Sequence, residues 1–464
     1  MGKTDWLEYD VEEIVKGDKD CLWHHMKPHS VFESQEQMVI VAGDGIEVTD
    51  IRGRTFIDVT SGGVWSIMVG YGRESIAKAV YDQLVKMPYF AGTYGNIPAI
   101  KFAQKLLEKL PSMGKVYFSN SGSEANEKAF KLVRQASRIV PERAGKYKIL
   151  FRDRDYHGTT LGAMSASGQI QRKRDYGPLL EGFIEFPHCC CYRCPFAKVY
   201  PGCNIECAHA IEDVITREGA DTIGGLIVEP VTAGGGIIPP VKEYFPIVEA
   251  ICKKHAIWLI MDEVVCGFGR TGRFWGHEQY GVDPDIVTMA KGLASSYEPL
   301  SATVVKQYIY DHFLGDATDE EKRLNYFRDI STYGGCTGPM AAALESTRII
   351  EDENLVENSK IVGAYLFEKL CELKGLPLVG DVRGVGLFVG IEFVRDKTTK
   401  EPVSDAEMAT IMGNLFAEGV IAGRTNSSFD GLNNVMNFAP SLIITKEQVD
   451  HVVAAVRRSI EKGI

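Results

Sequence analysis

Short apolar runs alternate with longer amphipathic stretches through the middle of the chain. Six apolar runs predict strands at residues 115–120, 148–151, 225–229, 257–261, 285–290 and 301–305. Amphipathic patterns predict helices over residues 124–140 and 242–255. Strands separated by helices favour a mostly parallel sheet with helices on its faces, which is the α/β class.

The two ends of the chain lack this regular alternation. The C-terminal part carries a long helical pattern, then the glycine-rich run 384–393, then a further helix pattern over 405–418. We therefore predict a large α/β domain over residues 71–338. A smaller α+β domain is expected from residues 339–464 together with the N-terminal segment 1–70.

Composition and charge limit the classes of partner. The chain has 464 residues, 45% of them hydrophobic and 24% charged, which is typical of a folded globular protein. The net charge of −11 disfavours nucleic acid and anionic membrane surfaces as partners. No apolar run approaches the roughly 18 residues of a membrane-spanning helix, and the first residues do not form a secretory signal. We expect a cytoplasmic protein that binds small molecules.

A candidate anion site lies between a predicted strand and a predicted helix. Ser121 and Glu124 have the spacing of a capping box, and Gly122 allows a ligand to approach the backbone closely. Free backbone N–H groups and the helix dipole at Gly122 and Ser123 suit a phosphate. The alternative is a well-capped helix that binds nothing.

An aspartate and a lysine follow two of the predicted strands. Asp262 ends the apolar run 257–261, and Lys291 follows the run 285–290. Ligands gather at the carboxyl ends of strands in open α/β sheets. A lysine among apolar residues loses its proton easily and becomes a nucleophile toward carbonyl groups. The alternative is a surface lysine and an unrelated carboxylate at the end of a strand.

Taken in order, the motifs of this chain resemble those of the class III aminotransferases, fold type I enzymes that use pyridoxal phosphate. The matching elements span most of the chain: Ser121-Gly-Ser123, Tyr156-His-Gly158, Glu229-Pro230, Asp262-Glu-Val264, Arg270-Thr-Gly272, Lys291-Gly292, Thr332-Tyr-Gly-Gly335 and Arg383-Gly-Val-Gly386.

The resemblance implies a role for each of these elements. Lys291 is expected to bind the cofactor covalently and to carry protons between donor and cofactor, while Asp262 pairs with the pyridine nitrogen. Tyr156 and Val264 are expected on the two faces of the cofactor ring. Ser121, Gly122 and Ser123 are expected to hold the cofactor phosphate. Glu229 is expected near the substrate carboxylate. Thr332 is expected to reach the cofactor phosphate of the neighbouring subunit. A homodimer, or a higher homo-oligomer, with shared sites follows.

A second glycine motif has the spacing of a dinucleotide-binding loop. Gly267, Gly269 and Gly272 match the G-x-G-x-x-G fingerprint of dinucleotide-binding folds and follow a predicted strand. That fingerprint must open a helix, whereas Gly276, Gly281 and Pro284 interrupt any helical pattern here. We therefore predict a loop without a dinucleotide.

Other segments are most similar to the taurine–pyruvate aminotransferases within this family. They are 61–65, 96–98, 326–336 and 425–426. The similarity implies that taurine gives sulfoacetaldehyde and pyruvate gives alanine, with Trp65, Tyr89 and Phe90 shaping the substrate pocket. Arg424 is the candidate for the substrate anion, although the family pattern brings this arginine one residue sooner.

Two other functions stay open. One is transfer from another ω-amino acid, such as β-alanine, to pyruvate. The other is a racemase, mutase or lyase reaction with the same cofactor, since a fold does not fix a function.

Six of the eleven cysteines lie between Cys189 and Cys207. Cys191 and Cys194 have C-x-x-C spacing, and Cys203 and Cys207 have C-x-x-x-C spacing. Thiolates so spaced can bind zinc or an iron–sulfur cluster. We predict no metal centre, because a large core does not need one to fold; a metal or redox module is the alternative.

Overall fold

The structure is a computed structural model that describes residues 8–426 and 428–463. The strands are β1 Ile40–Asp44, β2 Glu47–Asp50, β3 Thr55–Asp58, β4 Lys115–Ser119, β5 Lys148–Arg152, β6 Phe183–Phe186, β7 Ile223–Val228, β8 Trp258–Asp262, β9 Ile286–Met289, β10 Ser301–Val305, β11 Val379–Gly384, β12 Val389–Asp396, β13 Glu401–Pro402, β14 Val420–Ile421, β15 Gly423–Arg424 and β16 Val435–Phe438.

The helices are α1 Val11–Cys21, α2 His29–Ser34, α3 Glu74–Lys86, α4 Ile97–Lys109, α5 Gly122–Ile139, α6 Leu161–Ser165, α7 Ile170–Lys173, α8 Glu206–Glu218, α9 Tyr244–Lys254, α10 Gln307–Asp311, α11 Thr337–Asp352, α12 Leu355–Cys371, α13 Asp405–Ala417 and α14 Lys446–Glu461. Each of the strands and helices predicted in the middle of the chain is present, with ends that differ by a few residues. None of the described helices is both long and apolar enough to cross a membrane.

A seven-stranded sheet forms the centre of the molecule, in the order β4-β10-β9-β8-β7-β5-β6. Strands β9, β8, β7, β5 and β6 pair in parallel, and β10 runs antiparallel to both of its neighbours. The predicted mostly parallel α/β sheet is therefore confirmed.

Both faces of this sheet are buried. On β7 and β8, Leu226 and Leu259 pack into the cluster beneath α8 and α9. The alternate residues Ile227 and Ile260 pack with α5 on the other face. This period of two explains why the central strands read as continuous apolar runs.

Two smaller sheets draw on the ends of the chain. In the four-stranded sheet β1-β2-β3-β14, the C-terminal strand β14 pairs in parallel with β3. The other sheet has the order β11-β12-β16-β15, with β13 beside β12. The N-terminal residues 40–58 thus share a sheet with residues 420–421, while the predicted domain boundaries stay predictions.

The loop after β8 carries a buried arginine that joins distant segments. The Arg270 side chain is fully buried, and its guanidinium donates to the carbonyls of Leu387 and Pro440 and to Ser61 Oγ. The loop contains turns and no α-helix, so the Gly267–Gly272 motif does not form a dinucleotide fingerprint. Burial lowers the pKa of Arg270 to about 9.

The cysteine-rich segment packs beside α8. Cys189 and Cys190 are buried, whereas Cys191 is exposed. All eleven cysteines lie in the described ranges and are free thiols, and within these ranges no three potential ligands are grouped as a metal site.

Replacing Arg270 by Ala should destabilise the fold. The change leaves the Leu387 and Pro440 carbonyls without donors inside the protein, which should cost about 3 kcal/mol of unfolding free energy. Chemical denaturation of Arg270→Ala measures this loss. The matched control is Arg273→Ala, whose arginine is exposed in the same loop and whose loss should stay within about 0.5 kcal/mol. Equal stability of the two variants would contradict the joining role of Arg270.

Candidate active site

The carboxyl ends of the central strands open onto a cavity of about 180 Å³. Eight of the predicted site residues line it, namely Trp65, Gly122, Ser123, Tyr156, Glu229, Asp262, Val264 and Lys291. These residues come from six separate parts of the chain, and five of those parts follow strands of the central sheet that end at the same edge.

Strand pairing brings Asp262 and Lys291 to the same edge. Strand β8 pairs in parallel with β9, and Asp262 is aligned with Thr288. Lys291 follows three residues later, after the strand has ended. A separation of 29 residues along the chain thus becomes a short distance across two adjacent strands.

The Asp262 carboxylate is buried and held in a fixed orientation. Its Oδ2 accepts hydrogen bonds from Asn126 Nδ2 at 2.9 Å and pairs with His157 Nδ1 at 2.7 Å. Its Oδ1 accepts from the backbone N–H of Val264 at 3.0 Å. Since Oδ1 has a single partner in the described chain, it retains a lone pair for a ligand that lies in the cavity.

Lys291 combines an unusual backbone conformation with an amine that has no hydrogen-bonding partner among the described residues. Its φ of 44° lies in the left-handed region, which costs energy for a lysine and is common at functional sites. Its Nζ lies 5.3 Å from the centre of the Trp65 ring and makes no hydrogen bond or ion pair with any described residue. Burial lowers the pKa of Lys291, against the opposing charges of Glu229 and Asp262. The amine therefore loses its proton more easily than an exposed lysine.

The first turn of α5 has the capping geometry expected of the predicted anion site. Ser121 caps the helix and forms the capping box with Glu124, as predicted. Ser123 Oγ accepts from the Thr159 backbone N–H at 3.0 Å. Gly158 allows this approach, because a Cβ there would lie 2.3 Å from Ser123 Oγ and its φ is +138°.

Glu229 and Tyr156 form another part of the cavity wall. Glu229 accepts from the backbone N–H groups of Tyr156, at 2.9 Å, and Ala233, at 3.1 Å. Burial raises the pKa of Glu229, and repulsion from Asp155 and Asp262 raises it further. We infer that Glu229 holds a proton more readily than an exposed glutamate.

Three predicted residues lie together outside the cavity of this chain. Tyr89 pairs by a β-bridge with Cys336, and the backbone of Phe90 touches Gly335. Thr332 begins the short helix that ends at Gly335 and is exposed. The segments of Tyr89, Phe90 and Thr332 therefore meet at one surface of the molecule.

Arg424, predicted to bind the substrate anion, does not line the cavity. It lies on β15, where its Nη1 is 3.4 Å from the carbonyl oxygen of Asp405 and 3.9 Å from the carboxylate of the same residue. The guanidinium is therefore directed at the start of α13.

Asn126 and His157, which orient Asp262, were not among the residues predicted for the site. Asn126 also donates to the His157 carbonyl at 2.7 Å and accepts from Thr288 Oγ1 at 2.7 Å. The sequence held a signal for both, because Asn126 is a polar residue on the buried face of α5 and His157 lies inside the Tyr156-His-Gly158 motif.

Residues 30–460 match the family model described as aminotransferase class-III. The chain belongs to the class III aminotransferases. It is 48% identical over 458 residues to the taurine–pyruvate aminotransferase of Bilophila wadsworthia, covering 98% of each chain. It is 47% identical to the hypotaurine/taurine–pyruvate aminotransferase of Paracoccus denitrificans, again with 98% coverage of each. The crystal structure of a Bacillus anthracis aminotransferase superimposes with a TM-score of 0.92 at 41% identity, over the full length of both chains.

Class III aminotransferases depend on pyridoxal phosphate, and the residues of this cavity fit that cofactor. The cavity combines an unpartnered lysine amine, a buried carboxylate with a free lone pair and the N-terminus of α5. These groups suit an aldehyde, a pyridine nitrogen and a phosphate, respectively. When bound, the cofactor supplies an electron sink for the carbon that carries the amino group.

We propose that the cavity residues share this chemistry as follows. Lys291 attaches the cofactor and moves protons at the donor carbon, and Asp262 holds the proton of the pyridine nitrogen. Gly122 and Ser123 of the cavity lining would hold the phosphate, together with Ser121, which caps the same helix. Tyr156 and Val264 pack on the ring, and Glu229 lies beside the substrate.

Replacing Lys291 by Ala should abolish turnover and remove the visible absorption band of the bound cofactor. The reason is that Lys291 is the only lysine among the described residues that line the cavity. Absorption spectra of the protein reconstituted with pyridoxal phosphate provide the measurement, with Lys242→Ala as a control because that side chain is 83% exposed. Retained amino transfer by Lys291→Ala would exclude the assignment.

Proposed function

We propose that this aminotransferase moves the amino group of taurine to pyruvate, giving sulfoacetaldehyde and alanine. The observation that carries the proposal is near-full-length similarity to enzymes named for this reaction in two organisms. The segments 61–65, 96–98, 326–336 and 425–426, which suggested taurine from the sequence, support the same substrate.

The space beside Lys291 suits a small amine donor. Trp65 is held by a hydrogen bond from its indole N–H to Asn437 Oδ1 at 3.3 Å and by edge contact with Phe388. A fixed indole 5.3 Å from Lys291 Nζ limits the room beside the reacting nitrogen. Taurine, with two carbons between amine and sulfonate, meets that limit.

Other amine donors and other reaction types are distinguished from taurine–pyruvate transfer by the products they give. Hypotaurine is named for one relative, and β-alanine is the ω-amino acid alternative. A racemase or mutase would leave the amino group on its substrate, and a lyase would need no 2-oxo acid.

A donor screen with pyruvate fixed tests the proposal. We expect taurine to give the highest kcat/KM for alanine formation, at least tenfold above simple alkylamines, because recognition of a terminal anion adds binding energy that an alkyl group lacks. β-Alanine and hypotaurine are the matched comparisons. Equal rates with all donors, or no alanine from taurine, would contradict the proposal.

We further propose that the enzyme acts as a homodimer whose two sites share residues. The segments 89–100 and 326–336 meet at the Tyr89–Cys336 bridge. They carry exposed apolar side chains: Phe90, Tyr94, Ile97, Ile330 and Tyr333. A face of this kind is typical of a protein interface, and it presents Phe90 and Thr332 to a second copy.

Placing a charge on this face should separate the subunits. Ile330 is 83% exposed, and Ile330→Asp should shift the protein toward monomers and reduce activity in parallel. Val199→Asp is the control, since Val199 is 80% exposed and lies outside these two segments. Sedimentation velocity measures the oligomeric state. A wild-type protein that is fully active as a monomer would refute the proposal that the two subunits share active-site residues.

We also propose a cytoplasmic location. The supporting observation is that the eleven cysteines of the described residues are free thiols, which suits a reducing compartment.

A further inference from the structure

The proposed donor carries a sulfonate, and that charge needs a cationic partner in a site rich in acids. Asp262 and Glu229 line the cavity, and the whole chain has a net charge of −11. An uncompensated anion in such a cavity is strongly disfavoured. The question of which guanidinium binds the donor rests on the proposed function.

Arg424 has a competing acidic neighbour. Its guanidinium lies 3.9 Å from the Asp405 carboxylate, outside the cavity. To bind a substrate it would have to leave this contact and turn toward the cavity.

Arg172, on α7, has no such competitor. Within the described residues no carboxylate oxygen lies within 4.0 Å of its guanidinium, and its oxygen contacts are both neutral. Its Nε donates to Gln169 Oε1 at 2.6 Å, and its Nη2 donates to the Asn426 carbonyl at 3.2 Å. Within the described part of the chain, the one partner of Nη1 is Met26 Sδ, at 3.8 Å. Because a guanidinium has five N–H donors and sulfur is a weak acceptor, hydrogen-bonding capacity is left over.

Arg172, like Arg424, is not itself a lining residue of the cavity, but its guanidinium contacts a residue of the cavity wall. Its central carbon lies 5.0 Å from the centre of the Tyr156 ring, which lines the cavity. Gln169, its hydrogen-bond partner, packs against Gly234, another lining residue. The positive charge is near enough to Lys291 to help lower the pKa of that amine. Burial lowers the pKa of Arg172 itself, as expected for a cation without an anion beside it.

We propose that Arg172 binds the terminal anion of the amine donor and sets the preference for taurine over uncharged amines. Gln169 and the Asn426 carbonyl fix the orientation of the Arg172 guanidinium. The remaining N–H groups of the guanidinium are available to a sulfonate or carboxylate. Arg172 is thus a specificity-determining residue, whereas Lys291 performs the chemistry.

The test compares two half-reactions of the loaded enzyme without pyruvate. Taurine and propylamine are each mixed with the wild-type enzyme, Arg172→Gln and Arg172→Lys, and the loss of visible absorbance is followed. Arg172→Gln should raise the half-saturating concentration of taurine about 10- to 100-fold, the effect of losing hydrogen bonds to a charged group. The rate with propylamine should change less than about threefold. Arg172→Lys should recover part of the taurine affinity, because it restores the charge.

A binding measurement adds a readout that does not depend on turnover. Ethanesulfonate has the anion of taurine without an amine, and calorimetry should show weaker binding to Arg172→Gln than to the wild-type enzyme by a similar factor. Arg174→Gln is the matched control, since Arg174 is exposed two residues away and pairs with Asp430 at 2.5 Å.

Three results would overturn the proposal. They are an equal loss with taurine and propylamine, unchanged ethanesulfonate binding, or a taurine-selective loss in Arg424→Gln that Arg172→Gln lacks. If the wild-type enzyme fails with taurine, the proposed function fails instead. The role of Arg172 is then tested by the same comparison with β-alanine in place of taurine, because β-alanine also carries a terminal anion. An equal loss with β-alanine and propylamine would overturn it.

Discussion

The parallel pairing of β8 with β9 is the constraint on which the active site depends. It aligns Asp262 with Thr288 and so brings Lys291 to the same edge of the sheet. The N-terminus of α5 reaches that edge because this helix packs on the sheet, with Ala129 and Val133 in the core it shares with Ile227 and Ile260. Burial on both faces keeps the strands in register, since a slip by one residue would move their side chains to the opposite face.

Charge is the second organising theme of the site. Asp262 stays fixed because Asn126 and His157 both contact its Oδ2. The pKa of Glu229, by contrast, is raised by burial and by repulsion from Asp155 and Asp262. The lowered pKa of Lys291 and the fixed Asp262 carboxylate suit the proposed cofactor, and an anionic substrate in this cavity would depend on a nearby guanidinium. Arg172 satisfies that requirement without a competing carboxylate.

The sequence was sufficient for whatever depends on local pattern. Apolar runs predicted the central strands, and Ser121 with Glu124 predicted the capping box. The orienting bonds of Asn126 could not be read from the chain, because they depend on how α5 lies over β8. Arg424 illustrates the same limit: its position in the sequence suggested an anion site, while its contact with Asp405 follows from the packing of β15 beside α13. Tyr89, Phe90 and Thr332 lie on the surface proposed to meet a second copy.

The most direct test of the central claim is to locate the cofactor on the chain. The enzyme loaded with pyridoxal phosphate is reduced with borohydride, digested and analysed by mass spectrometry. The account predicts a single pyridoxyl-modified peptide with the modification on Lys291. Modification of a different lysine, or none at Lys291, would contradict the claim that the β8–β9 crossover builds the catalytic centre.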